Sequence, residues 1–300
     1  MANINVTSTY AGDALKKYIL QALIGGETLG TNGISVLTNV KYKRKIKKLA
    51  ASGVVQAGSC DFNSTSGVTI TEAVLEPCPF KINEQICFED IYNTWDSADM
   101  TAGLNAENLP QTLVDGLTTA YIGQFAKEVE EMIWQNNKSG SGGTDCFDGF
   151  EYILATGAVT GATSAATVSN VVTLLNKAYA LLPAGVLKKA KSELVIFVSH
   201  KLLSLYEMNL ATQGINTTIM GGIPTLYGIE IKAVGGFSDD DNIVIGERAN
   251  FYVGTDLESD FNEIKMLDMR QTTGDEAVRF IMKAKLDVAV AYPAEVAFLF

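Results

Sequence analysis

The stretch Val278-Arg279-Phe280-Ile281-Met282-Lys283-Ala284-Lys285-Leu286-Asp287-Val288-Ala289-Val290 is apolar at every second position. Val278, Phe280, Met282, Ala284, Leu286, Val288 and Val290 fall on one face, with Arg279, Lys283, Lys285 and Asp287 between them. A strict period of two predicts a strand with one buried face. At about 3.3 Å per residue it would span roughly 43 Å, long for a strand. Upstream, from Asn250 onward, the sequence is almost all strand-like. Gly228 to Val234 and Asn242 to Ile245 read as two more strands, separated by a turn over Gly235 to Asp241. Leu194-Val195-Ile196-Phe197-Val198 has the continuous apolar character of a strand buried on both faces. Ser199 then caps a helix carrying Leu202, Leu203, Tyr206 and Leu210. Val168, Val171, Val172, Leu175, Tyr179 and Leu182 mark an earlier helix, ended by Pro183. This part of the chain mixes helix and strand.

Lys138-Ser139-Gly140-Ser141-Gly142-Gly143 breaks the pattern and marks a boundary. Before it, Asn108 to Asn136 predicts a long helix, with Asn108 as cap, Pro110 in the first turn and Gln111 three residues after the cap. Its stripe (Leu113, Leu117, Tyr121, Phe125, Val129, Ile133) recurs every four residues and winds around the helix, as in a spine running across a sheet. Ile34 to Tyr92 is strand-like. Val54 to Asp61 and Val68 to Leu75 flank the turn-rich Phe62-Asn63-Ser64-Thr65-Ser66-Gly67 and read as a hairpin with a long tip. Pro77 and Pro79 bracket its return and are unsuited to a central strand. The first 35 residues hold an amphipathic stretch, Ala14 to Leu23, and then Gly25, Gly26, Gly30 and Gly33, the pattern of an arm.

The chain has 300 residues, 47% of them hydrophobic and 19% charged, and a formal charge of −11. That balance argues against a dedicated DNA-binding domain. Residues 1–48 depart from it. Lys16, Lys17, Lys41, Lys43, Arg44, Lys45, Lys47 and Lys48 face only Asp13 and Glu27, a net of +6 against −17 in the rest. A basic arm of this kind fits contact with something acidic: nucleic acid, a membrane surface, or the acidic body of another copy. As a strand, the segment places Val40, Tyr42 and Ile46 on one side and Lys41, Lys43, Lys45 and Lys47 on the other, which suits a solvated face equally. No apolar stretch approaches the ~20 residues of a membrane span, and the N-terminus does not have the layout of a signal peptide.

Chemistry-bearing motifs do not assemble. The sequence contains no G-x-x-x-x-G-K-[ST] and no G-x-G-x-x-G, and His200 is its one histidine, beside a helix cap. Asp239-Asp240-Asp241 reads as a solvated turn, without EF-hand spacing. Asp145 and Asp148 flank Cys146 with no base to activate the thiol. Asn63-Ser64-Thr65 and Asn216-Thr217-Thr218 match a glycosylation pattern that carries no weight in a cytosolic chain. Cys60, Cys78, Cys87 and Cys146 are scattered, with no zinc spacing. A Cys78–Cys87 bridge is geometrically conceivable, but reduced thiols are the expectation for a large intracellular chain. No catalytic, cofactor-binding or metal-binding residues and no cofactor are expected.

The order of parts is a basic arm, an extended hairpin, a spine helix, a central subdomain and a long returning strand. It resembles that of the major capsid protein of tailed phages, the Hong Kong 97-like fold, of class α+β. The resemblance is carried by Gly228-Ile229-Glu230-Ile231-Lys232-Ala233-Val234 leading into Asn242-Ile243-Val244-Ile245-Gly246. It continues through Asn250-Phe251-Tyr252-Val253-Gly254-Thr255-Asp256-Leu257 and Arg279 to the closing Ala291-Tyr292-Pro293-Ala294-Glu295-Val296-Ala297-Phe298. Cys78-Pro79-Phe80-Lys81-Ile82-Asn83-Glu84-Gln85-Ile86-Cys87 also looks like capsid proteins of phages infecting Bacteroidota.

The resemblance implies an N-terminal arm and lead-in strand over 1–49, an extended loop over 50–78, and a peripheral domain over 79–146. It further implies an axial domain over 147–245, peripheral strands over 246–290 and a return to the axial domain over 291–300. It implies a structural protein of the virion, not an enzyme. The chain would self-assemble as hexamers and pentamers in the host bacterial cytoplasm and enclose double-stranded DNA without sequence-specific binding. The expected partners are a portal protein, a separate scaffold and head-decoration proteins, and no membrane. Because the arm begins almost at Met1, the scaffold is expected to be a separate chain or unnecessary. Some relatives cross-link lysine to asparagine, but no spacing singles out a partner for Lys81. An encapsulin-type compartment is the alternative within the same fold, and an α/β enzyme the alternative outside it.

Overall fold

The computed structural model describes residue 28 and residues 34–52, 67–87, 111–140, 146–214, 224–256, 265–269 and 273–300. The long alternating run forms β12 (Ala277–Val290), the strand around which the first sheet is built. One of its ends pairs antiparallel with β10 (Phe251–Thr255), and the other with β11 (Lys265–Asp268). β4 (Cys78–Cys87) pairs along it from Cys78↔Leu286 to Ala277↔Cys87. β1 (Ser35–Leu37) adds in parallel to β10. Pro79 lies in β4, whose one partner strand among the described residues is β12, so the missing N–H interrupts no second ladder. The expected alternation holds up to Leu286; beyond it Asp287 and Ala289 are buried too, because both faces of the strand end are covered.

The second sheet has the order β5-β13-β9-β6-β8-β7. These strands are β5 (Val159–Gly161), β6 (Leu194–Ser199), β7 (Thr225–Leu226), β8 (Ile229–Val234), β9 (Ile243–Glu247) and β13 (Ala297–Leu299). β6 is buried at all six positions, as its continuous apolar run predicts. Val195 and Phe197 enter one core, and Leu194, Ile196 and Val198 the other. The chain's last strand, β13, lies in this second sheet between β5 and β9.

Of the helices, α1 (Gln111–Gln135) corresponds to the predicted spine, about 37 Å long. Its expected cap at Asn108 lies outside the described residues. Phe125, Val129 and Ile133 of the predicted stripe are buried against the first sheet, with Phe125 stacked on Phe80 of β4 at 5.8 Å. Trp134 closes the helix by packing on Phe197 (5.4 Å) and on Phe150 (5.3 Å) of α2 (Phe150–Gly157). Gly149 and Gly236 sit where any Cβ would collide with the backbone of this helix end. α3 (Val171–Ala180), α4 (Ala184–Leu187) and α5 (His200–Thr212) follow; α3 and α5 cover the second core. Ser199 caps α5, its hydroxyl accepting from the Leu202 N–H at 3.0 Å.

Candidate assembly surface

The third sheet is a two-stranded ribbon, β2 (Arg44–Ser52) with β3 (Gly67–Leu75). This corrects the pairing read from the sequence. The partner of Val68 to Leu75 is the lysine-rich segment, in register from Arg44↔Leu75 to Ser52↔Gly67. Val54 to Asp61 falls outside the described residues. The ribbon begins at Arg44. β-Propensity at Val54 to Asp61 is local, whereas register follows the cross-strand pairs that β2 supplies.

The two faces of the ribbon differ. On the inner face Leu75 is fully buried, meeting Gly254 of β10, and Lys48 lies 5.3 Å above the ring of Tyr292. Burial pushes the Lys48 ammonium pKa down. On the outer face Leu49 stands directly opposite Ile70, and the two are 66% and 65% exposed; Val74, beyond the Lys47–Glu72 pair, is 47% exposed. Lys45, Lys47 and Glu72 share that face. Lys45 reaches Glu72 at 2.6 Å, and Lys43 reaches Glu76 at 2.9 Å. The hydrogen bond to Glu76 pushes the Lys43 pKa up. So Lys43 and Lys45, expected to meet acidic groups of another copy, are matched within their own ribbon.

The foot of the ribbon is fixed at three points. Cys78 is joined in a disulfide to Cys146, with the Cα atoms 6.1 Å apart. This corrects the expectation of reduced thiols, and the conceivable Cys78–Cys87 bridge does not form either; Cys87 is free and exposed. Sequence spacing could not have found it, because the pair is 68 residues apart and meets only when β4 and the segment before α2 converge. The second point is Asp287 of β12, 6% exposed, whose carboxyl accepts the N–H of Glu76 and that of Val288. In the sequence it was one polar member of the alternating run; the alanine at 289 was the signal that its face is covered. The third point is the burial of Leu75.

Thr28 has a separate anchor on α1. Thr28 is fully buried, donates its hydroxyl to Glu130 of α1 and accepts the Trp134 indole N–H at 2.8 Å. The other sequence candidates do not converge. His200 is exposed at the start of α5. Asp239-Asp240-Asp241 forms a turn in which Asp239 accepts the Asp241 N–H at 3.0 Å and Lys201 pairs with Asp241 at 3.0 Å. Glu151 of α2 braces the same loop through Asn242 (2.8 Å) and the Ser238 N–H (3.1 Å), and burial pushes its carboxyl pKa up. Asp148 accepts the Lys138 N–H at 2.8 Å. Asp145, Cys60, Asn63-Ser64-Thr65 and Asn216-Thr217-Thr218 lie outside the described residues. Among the described residues no group of three or more His, Cys, Asp or Glu could hold a metal ion, and no helix is long and apolar enough to cross a membrane.

No family model and no curated protein matches the sequence. Solved structures do match. The capsid of the native GTA particle shares 13% identity over 94% of this chain and 89% of its own, with a TM-score of 0.56. The satellite phage P4 procapsid, which includes the size determination (Sid) protein, shares 11% over 95% and 89%, also with a TM-score of 0.56. A virus-like particle from Pyrococcus furiosus shares 11% over 96% and 98%, with a TM-score of 0.51. Near-complete coverage in both directions, with identity this low, is a likeness of architecture: the chain has the α+β fold of phage capsid subunits, the Hong Kong 97-like fold that the order of its elements resembles.

Proposed function

We propose that this protein is a structural shell subunit, the major capsid protein of a tailed phage, which assembles with copies of itself into a closed icosahedral shell around double-stranded DNA. The observation that carries the reading is the β2–β3 ribbon. Its inner face is fastened to its own subunit, while its outer face leaves Leu49, Ile70 and Val74 uncovered. An exposed apolar pair, Leu49 opposite Ile70, flanked by the matched charges of Lys45 and Glu72 and then by Val74, mixes apolar and paired polar groups as a protein contact does. Stable obligate contacts bury upwards of ~2,000 Å², and a ribbon face left open on its own subunit can add to such area by packing against another copy.

On this reading the first sheet with α1 is the peripheral domain, the second sheet is the axial domain to which the last residues return, and the ribbon is the extended loop. The acidic body repels packaged DNA and favours loose packing over adsorption. No catalytic step is assigned. Portal, scaffold and decoration proteins would be its further partners, and the host cytoplasm its place of assembly.

A second reading within the same fold, less supported by the neighbours, is a compartment shell of encapsulin type that encloses an enzyme; one neighbour is a virus-like particle. Electron microscopy of the purified full chain, with assays of the particle contents, separates the two. Closed shells holding nucleic acid are the expected result for the capsid. Shells holding a protein cargo mean the compartment, and a small soluble oligomer would overturn both.

A further inference from the structure

β4 leaves the first sheet at Cys78, the last residue paired with β12, and the chain then runs through Pro77 and Glu76 into the ribbon. Cys78 is fixed twice, by that pairing and by Cys146. Pro77 has no N–H to give. The Glu76 N–H is therefore the last backbone donor between the fixed sheet and the ribbon, and its acceptor is Asp287. Beside this corner is a cavity of about 350 Å³, lined among others by Val74, Glu76, Lys138, Asp148, Asp287 and Val290. An ionisable group that is 6% exposed, at the corner where the ribbon joins the sheet and next to a cavity water can enter, is costly if its only task is to accept two backbone N–H groups.

We propose that Asp287 is a proton-controlled catch for the ribbon's foot: the neutral carboxyl keeps Leu75 and Glu76 docked on β12, and the carboxylate favours their release. This rests on reading the ribbon as the subunit's contact arm and names how that arm is regulated. The charged groups around the catch are few. Glu76 faces it from the ribbon, with Lys43 paired to Glu76. Lys138 and Asp148 face it from the segments after α1 and before α2. On the strands, Lys285 of β12 pairs with Asp256 beyond β10 at 3.4 Å. Burial pushes the Asp287 carboxyl up to about 6 from 3.8. The N–H groups of Glu76 and Val288 and the charge of Lys138 oppose this, and Glu76 adds to it.

With the foot released, the carboxyl is solvated and titrates near its ordinary value. The docked state then binds the extra proton between those two values, so docking is strongest below about pH 3.8, weakens progressively as the pH rises from there, and has lost the proton's contribution just above about 6. Going from about pH 7.5 to about pH 5 shifts the docking equilibrium about tenfold towards the docked form.

The test is hydrogen–deuterium exchange of the unassembled full chain across this range, corrected for intrinsic exchange rates and read over residues 67–76. The expected result is about tenfold more protection at the acid end, with the rise setting in as the pH falls through about 6. Asp287→Asn keeps an acceptor but cannot ionise, and should abolish the rise. Glu76→Gln should move the onset down and Lys138→Met should move it up, so the proposal stands or falls on these two even if Asp287→Asn does not fold. A rise that survives Asp287→Asn, onsets that move the other way, or no rise in the wild type would overturn the catch. Shell formation is scored separately by electron microscopy. Subunits that assemble but show no rise overturn the catch alone, and a rise in subunits that never assemble supports the catch while overturning the shell reading.

Discussion

The indole N–H of Trp134 donates to the hydroxyl of Thr28 at 2.8 Å, across 106 residues of sequence. The same hydroxyl donates to the buried carboxylate of Glu130, so one arm residue satisfies two polar groups of the spine helix. Thr28→Val keeps the shape and removes both hydroxyl bonds, leaving the indole N–H without this acceptor while the backbone N–H of residue 28 still reaches Glu130 at 3.4 Å. Unsatisfied buried groups cost about 1–3 kcal/mol each, more when charged. Thermal unfolding of the variant should show a loss of at least that size. An unchanged midpoint would mean that water replaces Thr28 without cost.

Leu49 and Ile70 touch water, and their contribution belongs to the assembled state. The double variant Leu49→Ser, Ile70→Ser should unfold within roughly 1 kcal/mol of wild type, as exposed substitutions do. It should fail to form particles by light scattering under conditions where wild type assembles. Normal assembly would remove the ribbon's outer face from the contact.

Charge on the ribbon is organised in pairs. Lys45→Glu places two acidic groups together at Glu72 and should impair assembly, most strongly at low salt, where the Debye length reaches ~30 Å at 0.01 M. Adding Glu72→Lys restores the pair with its sign reversed. Recovery of assembly in the double variant shows that Lys45 acts within its own ribbon. Continued failure would assign it to an acidic surface of a neighbouring copy, as the sequence suggested.

The disulfide closes a loop of 68 residues between Cys78 and Cys146. By chain entropy such a link is worth about 4 kcal/mol. Reduction with dithiothreitol, or Cys78→Ser with Cys146→Ser, should lower the unfolding midpoint, and oxidised and reduced chains should differ in mobility under denaturing, non-reducing electrophoresis. Free-thiol titration that finds all four cysteines reactive in the denatured chain would restore the expectation of reduced cysteines.

What was legible in the sequence was local and periodic. The run from Val278 to Val290 became β12, the apolar block from Leu194 became a strand buried on both faces, and Ser199 caps the helix that follows it. Phe125, Val129 and Ile133 turn inward as their spacing predicts. What escaped depends on contacts distant in sequence. β3 pairs with β2 because Lys–Glu and Leu49–Ile70 pairs set the register, and no turn signal announces a partner on the far side of residues 53–66. Cys78 meets Cys146 only after two elements converge. Asp287 looked solvent-facing by its period, and its burial comes from the ribbon foot packing over it.

A cryo-electron microscopy reconstruction of particles assembled from the purified chain tests the central claim most directly. The expected result is a closed shell in which Leu49, Ile70 and Val74 are buried against a neighbouring copy, while Leu75 stays packed on its own β10. A shell in which that row still faces solvent, or a chain that remains a small soluble oligomer at every concentration, would contradict it.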